Sequence, residues 1–153
     1  MDVYEILKFL HVLLAIAAVG ANTTYGIWLS RAARDAKHLA FTLKGVKILD
    51  DRIANPAYAL LLVTGIAMLF VRKIAWSTPW LLLSLILYAA LVVLGLLGYT
   101  PTLRRQIAIL GTKGPHSPEY RLLAARGVRL GALLAVLAII IVFLMVAKPA
   151  LWG

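Results

Sequence analysis

The sequence predicts an all-α polytopic membrane protein in which four transmembrane helices form two antiparallel hairpins with both termini outside. Three observations predict it. The 153-residue chain is 63% hydrophobic and only 14% charged, with a mean hydropathy of +0.93, too apolar for an ordinary soluble domain. Its apolar residues collect in four runs, each close to the roughly 20 residues that cross a hydrocarbon core, where helices satisfy their own backbone groups. Its basic residues lie unevenly between those runs, which is a topological signal. A water-soluble four-helix bundle is excluded because runs such as LLLSLILY and IIVFLMV have no polar face.

The first span covers about residues 6–29. It follows an acidic start, MDVYE, with no basic stretch before Lys8, and Arg31 and Arg34 come directly after it, so it reads as a retained span instead of a cleaved signal. The connection over about 30–53 carries Arg31, Arg34, Lys37, Lys44, Lys47 and Arg52. Within it Leu39, Leu43, Val46, Leu49 and Ile53 recur at helical spacing, with Lys44, Lys47, Asp50 and Arg52 among them. That pattern predicts an amphipathic helix that lies at the surface or extends the second span.

Asn55 and Pro56 mark a turn or cap before the second span, about 54–71. A short connection with Arg72 and Lys73 leads to the third span, about 80–99. The next connection, about 100–127, holds Arg104, Arg105, Lys113, Arg121 and Arg126. Ser117, Pro118 and Glu119 have the order of a helix N-terminus, so a helix should start near Pro118, well before the fourth span at about 128–147. Lysine and arginine favour the cytoplasm, which places both long connections inside and both termini outside, as a multi-pass protein of a bacterial inner membrane. Trp76, Trp80 and Trp152 fall at the outer ends and Trp28 at the inner end of the first span, where indole rings favour the interfaces.

The net charge of +10 does not point to nucleic acid, because the bases sit beside membrane segments, which points to the membrane surface, its lipids and topology. The chain has no cysteine, which excludes disulfides and thiolate chemistry. His38 and His116 lie in separate connections and His11 near the opposite face, so no metal triad forms. No phosphate loop, paired carboxylates or nucleophile elbow appears, and no catalytic residue is assigned.

Polar residues inside the spans carry the remaining information. Counting about 100° per residue from His11, Ala15, Ala18, Asn22 and Tyr25 all fall within about 40° of one line along the first helix. This stripe should face protein, with the alanines admitting a neighbouring helix. Ser84, Tyr88, Gly95 and Tyr99 form a facing stripe on the third helix, and Thr64, Gly65 and Met68 add to it from the second. His11 and Asn22 are about 16 Å apart along the helix, so a site using both must be elongated. Two readings of His11 stay open: a histidine satisfied at a helix contact, or a haem or metal ligand. On the last helix Ala124, Gly127, Gly131, Ala135 and Ala138 form a small-residue face for close packing, within the chain or in a homodimer.

FLHVLLAIAAVG, NPAYALLLVTG, YTPTLRRQ, YRLLAARG and FLMVAKP together resemble DUF2269, a family of small bacterial integral-membrane proteins, over almost the whole chain. That resemblance implies four spans and supplies no active site. Lys8, His11 and the terminal VAKP also look like positions of the HemJ-type protoporphyrinogen oxidases, which would make His11 a cofactor-binding residue for haem b. In place of that family's arginine and asparagine-glutamate pattern before the last helix, this chain has PEYRLLAARG. Three functions follow: an accessory protein working with a membrane-protein partner or as a homo-oligomer, a haem-dependent membrane oxidoreductase, and an oligomeric small-solute transporter. The last lacks intramembrane charges to couple transport.

Overall fold

A computed structural model describes residues 2–151, so Trp152 lies outside the described residues. Four long apolar helical rods form a polytopic all-α membrane bundle. The first is α1 (Val3–Ala32); the second joins α2 (Ala36–Leu49) and α3 (Asn55–Arg72); the third joins α4 (Pro79–Val93) and α5 (Thr100–Lys113); the fourth is α6 (Pro118–Ala147). Lengths of 30 to 37 residues exceed what a bilayer core of about 30 Å requires. The rods therefore have a membrane sector and an extension beyond it.

The middle two rods are not regular. Asp50–Ala54 and Leu94–Tyr99 are π-helical, and each is followed two residues later by a proline, Pro56 and Pro101. A proline ring clashes with the carbonyl four residues back and offers no N–H to it. Those carbonyls, of Arg52 and Leu97, lie within the π turns, where the wider i to i+5 ladder makes room. Asn55 N–H accordingly bonds to Asp50 O and Thr100 N–H to Gly95 O. This corrects the expected turn at Asn55 and Pro56: the chain stays helical through both residues, because the π turn absorbs the proline.

The same insertion alters the expected amphipathic stripe. Leu39, Leu43 and Val46 are buried, whereas Leu49 is half-buried and Ile53 is 43% exposed. Asp50, expected among the charged residues of that helix, is buried at 5% exposure. It continues the 39, 43, 46 spacing, while Ile53 is turned outward past the π step.

At the basic end α2, α5 and the first turns of α6 build a layer whose buried Leu39, Leu43, Val46, Leu103 and Tyr120 continue into the core of the bundle through Tyr25, Leu91, Tyr99 and Leu134. Leu43 and Leu103 are each 1% exposed. Ser117 caps α6, its Oγ accepting from Tyr120 N–H at 3.3 Å, with Pro118 in the first turn. In the membrane sector packing is sparser: only 6% of the apolar window of α1 is buried, so most of its side chains contact lipid. Opposite the basic end, the Arg72 guanidinium lies 4.2 Å from the Tyr4 ring centroid, and Lys148 Nζ lies 5.5 Å from that of Trp80. Lys148 ends α6 with a left-handed backbone, φ 45°, ahead of Pro149. The terminal VAKP is thus a helix stop with an aromatic contact.

Between α1 and α2, Asp35 caps α2, accepting from Lys37 N–H at 3.0 Å and meeting His38 Nδ1 at 2.7 Å. The hydrogen bond with His38 holds the Asp35 carboxyl below its ordinary range. A depressed value stabilises the folded state above the unfolded aspartate value of about 4 and loses that effect as pH falls through the folded one. Protection of the Lys37 amide, measured against the intrinsic exchange rate at each pH, should therefore fall on acidification below about pH 4. D35A should remove it across the neutral range.

Candidate functional site

The polar stripe of α1 meets α3 at two levels. Near its start, His11 Nδ1 lies 2.9 Å from Thr64 Oγ1. The Thr64 hydroxyl donates back to the carbonyls of its own helix, Leu60 at 2.8 Å and Leu61 at 3.2 Å. With its single proton engaged there, its oxygen is suited to accept from an Nδ1–H tautomer of His11, in which Nε2 keeps its lone pair and has no hydrogen-bond partner among the described residues. The ring rests on Gly65, where a Cβ would stand 3.2 Å from His11 Cε1. A side chain there would press on the imidazole, which would have to yield by a few tenths of an ångström.

Further along, Asn22 Nδ2 donates to Tyr58 Oη at 2.6 Å. Tyr88 Oη donates to the main-chain carbonyl of Tyr58, and the two tyrosine rings meet edge to face with centroids 6.5 Å apart. Tyr58 thus links α1, α3 and α4. Ser84 is fully buried and donates to Trp80 O at 2.6 Å within α4. Tyr25 is 3% exposed, and its hydroxyl has no hydrogen-bond partner among the described residues.

Beside these groups lies a cavity of about 420 Å³ between α1, α3, α4 and α6. His11, Tyr58, Ser84 and Tyr88 line it, among walls otherwise built mainly of Ala, Val, Leu and Ile. Two further lining residues, Ile16 and Val146, are 65% and 78% exposed, so the cavity opens on the apolar flank of the bundle. Asn22 and Tyr25 do not line it.

Of the small-residue face of α6, Gly127 and Gly131 approach α5 and its preceding π turn, whereas Ala135 is exposed and Ala138 lines the cavity. At Gly127 a Cβ would stand 2.4 Å from Gln106 Nε2, and at Gly131 it would stand 3.7 Å from Tyr99 Cε2. Ala124 is half-buried against the same core. Gln106, 5% exposed, donates to Leu123 O at 3.0 Å across this contact.

A family model described as a predicted integral membrane protein, DUF2269, matches residues 5–149. The chain belongs to DUF2269. Neither the comparison with curated proteins nor that with solved structures gives a match. The DUF2269 assignment makes this a small α-helical multi-pass membrane protein and leaves its activity to be argued from the site.

For the DUF2269 chain, haem can be tested against the cavity walls. His11 offers Nε2 and Met145 lines the same space, but no lysine or arginine is among the lining residues to meet two propionates. Among the described residues no group of three or more His, Cys, Asp or Glu side chains is placed to hold a metal ion. The cavity does not fit haem, and an apolar molecule suits its walls better.

Sequence reasoning passed over Tyr58 and Gln106. Each matters through partners distant in the chain: Tyr58 through Asn22 and Tyr88, Gln106 through Leu123 and Gly127. A polar residue amid an otherwise apolar helical face was the available signal for both.

Proposed function

We propose that this DUF2269 protein is a non-catalytic accessory module of the bacterial inner membrane that holds a lipid-soluble molecule in the cavity beside His11. The observation that carries this reading is an apolar cavity opening on the apolar flank of the bundle, with His11 among its lining residues. Its occupant has a hydrocarbon body that replaces apolar wall contacts and a hydroxyl that donates to Nε2. The chemistry is binding, since no nucleophile, acid and base converge there.

The orientation we propose puts both termini outside, the two hairpins antiparallel, and the basic layer of α2, α5 and the start of α6 in the cytoplasm. Arg31, Arg34, Arg104, Arg105, Arg121 and Arg126 all belong to that end and are exposed, as the positive-inside rule requires. Reporter fusions check it: a fusion near Thr112 should report the cytoplasm and one after Leu151 the periplasm. The reverse pair would refute the orientation.

Organic extracts of protein purified in mild detergent test the binding reading. One lipid-soluble compound should be enriched over its share of the source membrane and depleted in G65L, which fills the cavity and displaces His11. An extract with bulk membrane composition, unchanged by G65L, would count against it.

A further inference from the structure

The two π turns meet at the basic end, away from the cavity. Thr100, directly after the second turn, donates from Oγ1 to Asp50 Oδ2 at 3.1 Å, and Asn55 Nδ2 donates to the same oxygen at 3.4 Å. Asp50 Oδ1 receives no hydrogen bond among the described residues. The base nearest in sequence, Lys47, gives its ammonium to Asp51, whose side chain is 44% exposed. A carboxyl 5% exposed therefore has two neutral donors and no ion-pair partner, an arrangement that is expensive unless its protonation state can adjust.

The second observation comes from α1. Tyr25, 3% exposed, carries a buried hydroxyl without a partner among the described residues; α1 packs against the first π turn, and Tyr25 shares a buried cluster with Val46 and Tyr99. Other titratable groups around Asp50 are Lys47 on α2, Asp51 in the same π turn, Tyr58 on α3 and Tyr99 at the end of the second π turn. Arg104 and Arg105 of α5 are exposed. One acidic group, neutral hydroxyls and an amide form the centre of this cluster.

We propose that Asp50, held where the two π turns meet, is a reversible proton-binding site that works with the hydroxyl of Tyr25. Protonation adds hydrogen to Oδ1, which then donates to a water that bridges to Tyr25 Oη. Deprotonation breaks that O–H bond, returns the proton to water, and leaves Oδ1 to accept from the same bridging water. Through that water either state gives the Tyr25 hydroxyl a partner. No electron is transferred and no co-reactant is needed.

Infrared difference spectroscopy of the full chain in lipid nanodiscs, scanned over about pH 4 to 9, covers the range in which a buried carboxyl can titrate. The wild type should show a protonated-carboxyl C=O band that grows on acidification, disappears in D50N and persists in D51N. Y25F should shift its frequency. T100V should move its midpoint upward by on the order of one pH unit, because a donor favouring the ionised form has gone. If D50N does not give a monodisperse helical protein, Y25F and T100V decide. Absence of an Asp50-dependent band, a Y25F spectrum identical to the wild type, or a band displaced at constant pH by sodium ions would each overturn the proposal; the last would mark a cation site.

Discussion

Leucine at Gly127 should largely prevent recovery of folded protein. A Cβ there would stand 2.4 Å from the amide nitrogen of Gln106, and that nitrogen is committed to Leu123 O. Overpacking alone costs about 1–3 kcal/mol, and freeing the buried amide costs about 1–3 kcal/mol more. These contributions share one contact, so they do not simply add. The check is thermal stability and monodispersity in mild detergent, with G127A as the graded case. Shortening the opposing group in G127A/Q106A should restore part of the loss, whereas equal stability of wild type and G127L would mean that α6 does not approach α5 this closely.

Truncation in the basic layer should have the next largest effect. Leu43 and Leu103 are each 1% exposed at the contact of α2 with α5, in a layer whose outer surface carries the arginines and lysines. In the proposed orientation this layer stands in water, and ordinary hydrophobic bookkeeping then applies. L43A should destabilise by about 2–5 kcal/mol, the range for a leucine cavity that cannot fully collapse. Urea unfolding of nanodisc-embedded protein, followed by exchange of α2 and α5 amides, would reveal this as loss of protection in both helices. Loss confined to α2 would mean the two helices are not one packed unit.

Membrane character was legible because it depends on run length and composition, which are local. The start of α6 was legible too: Ser117, Pro118 and Glu119 are each favoured there for a separate physical reason. The π turns were not. Asn55 and Pro56 were read as a turn or cap before the second span, yet a proline can also be accommodated by widening the preceding turn, and sequence periodicity does not distinguish these outcomes. Asp50 was grouped with the charged residues by its type, although its spacing from Leu39, Leu43 and Val46 put it in core phase. At the candidate site, helical phase brought His11 toward Thr64 and Gly65, but the tautomer depends on the threonine's bonds to its own backbone.

The central claim is that the cavity between α1, α3, α4 and α6 is a binding site for a lipid-soluble molecule. Photo-crosslinking in nanodiscs with a diazirine-bearing acyl chain, mapped by peptide mass spectrometry, tests it most directly. Label should concentrate on cavity-lining Leu62, Leu85 and Val142 above exposed Leu97 and Val128 outside it, and G65L should remove that excess while leaving the outside labelling unchanged. Uniform labelling of all these positions, insensitive to G65L, would contradict the claim.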